Sequence, residues 1–200
     1  MIEQPLTHFR IMARPLSEEK RDAILAAAAD LIAAQGLGAS TAKIAKAAGV
    51  AEGTLFTYFP TKDDLLNQLF LEIESDLAGS VLAAGLPDGD PRDRVRHLWD
   101  RLIDWGLANP VRRKALRQLK VSDRIRADSL RRFEAQFREA RAMVEQCLAG
   151  HVDPARMPFY IDTVLLGLAE IAMDAITANP QDRESIRQAG FDLFWKGSAA

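Results

Sequence analysis

Apolar residues recur every three or four positions along most of this 200-residue chain, which is the period of an amphipathic helix. The first such stretch follows Ser17, a favourable N-cap residue, and ends at Gly36. A short second helix ends at Gly49, and a short third helix is predicted over residues 52–59. The sequence contains no run that alternates apolar and polar residues as a half-buried strand would. We therefore predict an all-α protein.

A long fourth helix is predicted next. Pro60 ends the third helix, Thr61 can cap the fourth, and apolar positions then continue at helical spacing until Gly79. Turn-forming residues separate the later helices, with breaks expected at 85–91, 109–110, 121–126, 150–158 and 179–180. The pattern predicts about nine helices, arranged as an N-terminal three-helix unit, a long connecting helix and a C-terminal helical bundle.

The chain divides into three parts on this pattern. Residues 1–13 show no helical period, so we expect a disordered arm there, and Met12 is an alternative to Met1 as the initiator. A three-helix domain is expected over residues 14–62 and a larger helical domain over residues 63–200.

The composition excludes several classes of protein. The single cysteine, Cys147, rules out an intramolecular disulfide, and with the three histidines it forms no cluster at metal-ligand spacing, so we predict no metal and no cofactor. No apolar run approaches the roughly 20 residues of a membrane-spanning helix, and the polar N-terminus lacks the layout of a signal peptide. We therefore expect a cytoplasmic protein without a membrane partner. The net charge of −2 argues against a protein that coats nucleic acid indiscriminately.

Residues 41–62, TAKIAKAAGVAEGTLFTYFPTK, carry the most informative pattern. Two helices of about eight residues joined by a turn cannot bury their own apolar faces, so the first helix must serve as their platform. Ala45 and Ala48 allow the two helices to approach closely, and Gly49 can adopt the positive φ of a tight reversal. The residues expected to face inward are Ile44, Ala45, Ala48, Val50, Leu55 and Phe59. This combination predicts a helix-turn-helix.

The string T..IA..AGV..GTLF.YF..K within this segment resembles the DNA-binding signature of the TetR family of transcription regulators. The resemblance covers residues 17–66, about a quarter of the chain, and the remainder resembles the family only in the number and length of its helices. It implies a homodimer, not an enzyme, whose third helix enters the major groove of palindromic operator DNA. It also implies a small-molecule effector, and favours a repressor over an activator.

Carried over position by position, the resemblance implies DNA contacts from five residues. Thr41 would contact a phosphate through its hydroxyl and the free N–H groups of the helix start. Gly53, which has no side chain, would let the third helix approach the base edges. Thr54 would contact a base or a phosphate, and Tyr58 and Lys62 would contact phosphates.

Neighbouring positions add charge or depart from the family pattern. Lys43 and Lys46, on the outer side of the second helix, would attract DNA without reading its sequence. Where the family often has Ser or Thr, this chain has Ala51, and where it often has an aromatic residue, it has Thr57. Glu52 is able to accept a hydrogen bond from a cytosine amino group, but we favour an orientation toward solvent.

The resemblance also assigns effector binding and dimerisation to residues 63–200. It implies a pocket between the fourth helix and the helices up to the eighth, and a dimer interface formed by the last two helices. Candidate pocket residues are His97, Trp105, Phe133, Phe137, Met143, Tyr160, Asp162 and Asp174. Candidate interface residues are Val164, Leu168, Ile171, Ala175, Ile186 and Phe194. Packing within one subunit is the alternative for each residue in both sets.

A basic segment lies within the larger domain, because residues 112–141 contain eleven Lys or Arg against four acidic residues. Four arginines recur every seven residues, and on a continuous helix they would lie on one stripe: Arg117, Arg124, Arg131 and Arg138. One interpretation is a solvated face paired with Glu134 and Glu139. The other is a binding site for an anionic effector such as a carboxylate or an acyl-coenzyme A.

Two further functions are compatible with the sequence. A ligand-independent DNA-binding protein of the same fold, acting for instance in chromosome organisation, would use the same helix-turn-helix. A helical enzyme or small-molecule carrier would use only the C-terminal core. The sequence gives the enzyme little support, because it contains no metal-ligand spacing, no Gly-rich phosphate loop and no evident pairing of a nucleophile with a base.

Overall fold

The computed structural model describes residues 17–83, 85 and 88–198, and within these it contains nine helices and no β-strand. The first seven are α1 (Glu18–Gln35), α2 (Thr41–Ala47), α3 (Glu52–Tyr58), α4 (Lys62–Leu82), α5 (Pro91–Ala108), α6 (Pro110–Lys120) and α7 (Ala127–Leu148). The last two are α8, which joins Met157–Phe159, the π-helical segment Tyr160–Leu165 and Leu166–Ala178, and α9 (Arg183–Gly197). The all-α prediction is confirmed. The predicted arm over residues 1–13 and the alternative start at Met12 lie outside the described residues.

Helices α1 to α3 form a unit with its own tightly packed centre. The Ser17 hydroxyl caps α1, and the Ser40 hydroxyl caps α2 by accepting a hydrogen bond from the backbone N–H of Lys43 at 3.3 Å. The side chains that fill the centre are Ile24, Ile32, Ile44, Leu55 and Phe59, each at most 4% exposed. The predicted inward positions are therefore buried, apart from Ala48 and Val50, which are half-buried.

Helix α4 is longer than predicted. It begins with a capping box, in which the Thr61 hydroxyl accepts from the Asp64 backbone N–H and the Asp64 carboxylate accepts from the Thr61 N–H, both at 3.1 Å. The stop predicted at Gly79 is wrong, because the helix continues to Leu82. One helical glycine costs only about 1 kcal/mol relative to alanine, and burial of Val81 in the next turn favours continuation.

A single buried core runs through α1 to α9 and is continuous across the boundary predicted at residue 62. Helix α6 packs against α1, and α9 packs against both α5 and α8. At the contact of α9 with α5, a Cβ atom on Gly190 would lie 2.9 Å from the Trp99 ring, so this close approach needs glycine. The Trp99 indole N–H donates to the backbone carbonyl of Arg187 at 3.2 Å. One side of α9 is thus part of its own chain's core.

The loop between α6 and α7 is fixed to the first turns of α4 by Asn67, which is 1% exposed. Its amide NH₂ donates to the carbonyls of Asp63 at 2.8 Å and Arg124 at 2.9 Å. Its carbonyl accepts from the Arg126 backbone N–H at 2.8 Å and from the Ser129 hydroxyl at 2.9 Å. Because all four bonds converge on one buried amide, the loop and the start of α4 form a single packed junction.

Cys147 lies on the buried side of α7, with its Sγ atom 3.5 Å from Met143 Sδ. Burial raises the pKa of its thiol, so it packs as a small apolar residue. Of the helices in the described segments, none combines the length and apolar character that a membrane crossing needs.

Candidate DNA-binding face and ligand cavity

Helices α2 and α3 meet at a tight turn on the outside of the three-helix unit. Gly49 has a φ of 69°, as the predicted reversal requires, and the Val50 N–H donates to the Ala45 carbonyl at 3.0 Å. We call the outer surface of this pair the α2–α3 face, formed by Thr41, Lys43, Lys46, Glu52, Gly53, Thr54 and Thr57. The ammonium groups of Lys43 and Lys46 give it exposed positive charge.

A hydrogen bond joins the beginnings of the two helices, because the Thr41 hydroxyl donates to Glu52 Oε1 at 2.6 Å. Glu52 lies in the first turn of α3, where the helix dipole favours a carboxylate. Its side chain is exposed, as we favoured, but it binds Thr41 as well as facing solvent. The bond uses the only hydroxyl proton of Thr41, so a phosphate contact through that hydroxyl requires Glu52 to release it.

Tyr58 and Lys62 also have partners within the protein. The Tyr58 hydroxyl accepts from the Ser17 backbone N–H at 2.8 Å, which leaves its own proton free to be donated. The Lys62 ammonium donates to the Leu37 carbonyl at 2.6 Å and so ties the start of α4 to the turn after α1. Lys62 therefore has a structural role that sequence reasoning missed, and its other two N–H donors are available to a phosphate.

Gly53 lies in the first turn of α3 with no positive φ, and apart from its neighbours and its own helix backbone no described atom lies within 4 Å of a Cβ atom built on it. The fold therefore does not need glycine here. Thr57 is exposed and donates to the Gly53 carbonyl at 3.0 Å, whereas Thr54 is half-buried. Phe56, also on α3, is 40% exposed.

A cavity of about 1030 Å³ lies inside the bundle, between α4, α5, α7 and α8. We call it the central cavity. Its wall is mostly apolar and aromatic, and includes Phe70, Leu77, Val81, Leu98, Trp99, Leu102, Ile125, Phe133, Phe137, Val144, Ile161 and Leu165. The π-helical segment of α8 forms part of the wall, and Asp162 in that segment is bound by the Arg141 guanidinium. Irregular helical turns of this kind are frequent at functional sites.

Three of the eight predicted pocket residues line this cavity, namely Phe133, Phe137 and Asp162. The other five do not: His97, Trp105, Met143, Tyr160 and Asp174. Trp105 is buried elsewhere, where its indole N–H donates to Asp76 at 2.9 Å, and Asp174 forms ion pairs with Arg113 and Arg117 at the surface. The structure thus places these five outside the lining of this cavity, and spacing alone did not separate them from the three that line it.

The central cavity contains one deeply buried charge that sequence reasoning missed. Glu74 on α4 is 0% exposed, and its Oε1 atom lies 2.7 Å from the Lys120 ammonium. The contact is an ion pair through Oε1, and Oε2 has no hydrogen-bond partner among the described residues. Burial raises the pKa of Glu74, and Lys120 offsets part of that increase. The signal was present in the sequence, because Glu74 interrupts the apolar stripe of α4 between Phe70 and Leu77.

The stripe of four arginines proposed for a continuous helix does not exist, because residues 121–126 separate α6 from α7. Arg117 pairs with Glu170 and Asp174, and Arg124 pairs with Asp63. Arg131 and Arg138, together on α7, line the outer part of the central cavity with exposed side chains.

Helices α8 and α9 present an exposed apolar surface beside their buried sides. Ile171 is 66% exposed and Leu193 is 62% exposed. The half-buried candidates on these helices are Val164, Leu168, Ala175 and Ile186. Phe194 was predicted to contact a second subunit, but it is 1% exposed and packs in the core beside Phe191, so that assignment is corrected.

Comparison with known proteins places the chain in a family. The family model described as "Bacterial regulatory proteins, tetR family" matches residues 24–69, from α1 into α4. A solved structure of a tetR family protein from Shewanella sp. PV-4 is 30% identical and covers 90% of this chain and 98% of its own, with a TM-score of 0.80. A TetR family structure from Marinobacter aquaeolei VT8, 24% identical over 90% of this chain and 96% of its own, shares the fold with a TM-score of 0.77.

A curated relative matches a shorter region. The nucleoid occlusion factor SlmA of Haemophilus influenzae (strain PittGG) is 31% identical over 71 residues, which are 36% of this chain and 33% of that protein. The chain thus spans about a third of the length of the first curated relatives it matches. Since the likeness to the Shewanella protein extends over nearly all of both chains, and the family model matches the helix-turn-helix, the chain belongs to the TetR family of bacterial transcription regulators.

Proposed function

We propose that this protein is a homodimeric regulator that binds operator DNA through the α2–α3 face and releases it when a small molecule enters the central cavity. The observation that carries the proposal is the continuity of α4. The helix begins at Lys62, which is bonded to the three-helix unit, and two to five turns later it lines the cavity with Phe70, Glu74, Leu77 and Val81. One continuous helix therefore connects the three-helix unit to the cavity.

Two features support the DNA-binding half of the proposal: the exposed positive charge of α2 and the absence of a side chain at Gly53 on α3. Lys43 and Lys46 attract phosphates, and Gly53 lets the backbone of α3 approach the base edges. Two copies would present their third helices to successive major grooves of a palindromic site, about 34–36 Å apart. This spacing ties the affinity for DNA to the geometry of the dimer.

On the effector side, the size and lining of the central cavity support a small organic ligand. Its volume of about 1030 Å³ is at the upper end of ordinary ligand sites, and its wall is mainly apolar with a few polar groups. A ligand that fits only when α4 is displaced would lower the population of the DNA-binding arrangement. Relief of repression is the output that we propose.

The homodimer is proposed to form through α8 and α9, where Ile171 and Leu193 are exposed. Ile171→Glu would place a charge in this interface, and we expect the dimer dissociation constant to rise at least tenfold, which is about 1.4 kcal/mol. Val121→Glu is the control, because Val121 is 84% exposed in the loop after α6. Analytical ultracentrifugation measures both variants, and an unchanged dimer with Ile171→Glu would place the interface elsewhere.

The direct test of DNA binding is a gel shift of the full chain with the DNA that flanks its own gene, at low and moderate salt. We expect a retarded complex whose affinity falls steeply with salt and exceeds that for unrelated DNA. Absence of retardation at low salt by a folded dimer would refute the proposal.

A second candidate, a DNA-binding protein without an effector, is favoured by the match to the nucleoid occlusion factor SlmA, which is 31% identical over 71 residues. Many dispersed genomic sites in a chromatin precipitation experiment, together with DNA binding that no cavity ligand alters, would support it. Few sites and a ligand-sensitive complex would support the effector-responsive regulator.

A further inference from the structure

The central cavity contains a buried carboxylate that the described residues pair only in part. The Glu74 side chain is completely buried on α4, and its Oε2 atom has no partner among the described residues. A buried carboxylate lowers stability unless it is paired and fully hydrogen-bonded, and only one of the two Glu74 oxygens has an ionic partner among the described residues. The carboxylate therefore needs an explanation other than stability.

Its ionic partner among the described residues, Lys120, is partly exposed to solvent. Lys120 is the last residue of α6, and its side chain is 38% exposed. The lysine has a long flexible stem and can turn to solvent, where an ammonium is well hydrated and remains favoured near a helix C-terminus. Glu74 cannot follow, because its side chain is enclosed by the cavity wall.

The position of the Lys120 ammonium shows which chemistry the site accepts. It lies 2.7 Å from the Glu74 carboxylate and 5.0 Å from the centre of the Phe133 ring. A carboxylate on one side and an aromatic face on the other form a site for an organic cation. Phe137 and Phe70 lie next to this ring, at 5.3 Å and 6.0 Å between centroids, and extend the aromatic wall.

We propose that the effector is an amphipathic organic amine, whose protonated nitrogen replaces the Lys120 ammonium between Glu74 and Phe133 while its apolar body fills the cavity. The exchange leaves the number of charges inside the cavity unchanged and transfers the lysine ammonium to water. The inference rests on the proposed function, because it names the ligand class of the cavity assigned there to the effector.

An anionic effector is the competing chemistry. The exposed arginines Arg131 and Arg138 line the outer part of the cavity and offer it charge. An anion placed in the depth of the cavity would lie beside the buried Glu74 carboxylate, and the repulsion there is screened little by solvent. The geometry of the deep end therefore favours the amine.

Three probes of nearly equal shape separate these chemistries: 2-(1-naphthyl)ethylamine, 2-(1-naphthyl)ethanol and 1-naphthylacetate. Titration calorimetry with the full-length dimer is expected to show the amine binding at least tenfold more tightly than the alcohol, and the acetate most weakly. Glu74→Gln should lower the affinity for the amine by about 10- to 100-fold, the usual effect of losing a charged hydrogen-bond partner, and change that for the alcohol less than threefold.

Two further variants complete the test. Glu134→Gln is the matched control, because Glu134 lines the same cavity but is exposed, and it should change no affinity more than twofold. Lys120→Met removes the competing ammonium and should raise the affinity for the amine several-fold. If the ligand were instead an anion held by Lys120, this substitution would lower affinity.

Thermal melting of the unliganded Glu74→Gln variant controls for folding, with a melting temperature at or above that of the parent expected. A decrease of several degrees would show that the Glu74–Lys120 pair is structural and would overturn the inference, as would tightest binding by the acetate. If the alcohol binds as tightly as the amine, the proposal that the effector is an amine would be rejected, but the proposed function would not be contradicted. Binding of none of the probes at millimolar concentration would contradict both.

Discussion

Glu52 on the α2–α3 face and Glu74 in the central cavity lie in opposite environments, and comparing them shows how the two regions differ. Glu52 is exposed and accepts a hydrogen bond from Thr41 at 2.6 Å, whereas Glu74 is fully buried, with the Lys120 ammonium 2.7 Å from one oxygen and no partner among the described residues for the other. An exposed contact contributes about 1 kcal/mol or less and is readily exchanged for a phosphate or water. A buried carboxylate lowers stability until a partner compensates it. Contacts on the α2–α3 face can thus be exchanged for contacts with DNA. The central cavity instead contains a buried carboxylate whose pairing a bound ligand can complete.

The largest effect is expected at the glycine of the outer face. Gly53→Leu should stabilise the fold by about 0.5–1 kcal/mol, because leucine favours a helix and the surrounding space is open. It should weaken operator binding about 100-fold, because the added side chain holds α3 away from base contacts worth about 1–3 kcal/mol each. Urea unfolding and fluorescence anisotropy measure the two effects.

Gly79→Leu is the matched control for that substitution. Gly79 is also helical and exposed with no atom near its built Cβ, so it should give the same gain in stability and leave DNA affinity unchanged. Loss of stability with Gly53→Leu would mean that the glycine serves the fold, contrary to the open space around it.

Lys62→Ala should have the next largest effect. We expect affinity to fall about tenfold on every DNA sequence and the slope of log affinity against log salt to decrease by about one unit. Stability should fall by about 1 kcal/mol, because the Leu37 carbonyl loses its partner. Salt titrations of DNA binding and urea unfolding measure these changes.

Two comparisons sharpen the interpretation of Lys62. Lys46→Ala should lower the salt slope without loss of stability, because Lys46 is exposed on the α2–α3 face. Thr54→Ala should alter the preferred DNA sequence, in contrast with the uniform loss caused by Lys62→Ala. Equal losses across all sequences for Thr54→Ala would refute a base contact from that residue.

Glu52→Gln tests whether the outer glutamate opposes binding or reads a base. We expect affinity for all DNA sequences to rise about two- to fivefold, because removal of the exposed charge lessens repulsion of phosphates and weakens the hold on the Thr41 hydroxyl. If Glu52 accepts from a cytosine amino group, affinity would instead fall at one base position only. A panel of single-base operator variants distinguishes the two results.

The smallest effect concerns pH. The pKa of Glu74 is raised in the folded protein from the ordinary value of 4.5, so the folded state retains a proton that the unfolded state releases. The resulting stabilisation is fully present below the unfolded pKa and is lost as pH rises through the folded pKa. The stability difference in favour of Glu74→Gln should therefore grow with pH across this window. Parallel urea titrations from pH 4 to pH 8 measure it, and an opposite slope would contradict the burial argument.

Local rules predicted most of the first four helices. Ser17 and Thr61 cap where hydroxyl chemistry predicts, and Gly49 adopts the expected positive φ. The cavity was harder to predict, because its lining depends on how distant helices pack. Trp105 looked like a ligand contact by residue type, yet it packs away from the cavity, whereas Glu74 was overlooked although it interrupts an apolar stripe. Spacing shows which side of a helix faces inward, but it does not show whether a core, a cavity or a second chain lies there.

The buried Cys147 is a natural probe of local opening of α7. The chain has only this thiol, which is 5% exposed, and burial raises its pKa, so a thiol reagent reacts appreciably only when α7 opens. Val144 and Ala140, one and two turns earlier on α7, line the central cavity. The labelling rate of the unmodified chain therefore measures how often this wall opens, without any introduced probe, and a ligand that fills the cavity should slow it.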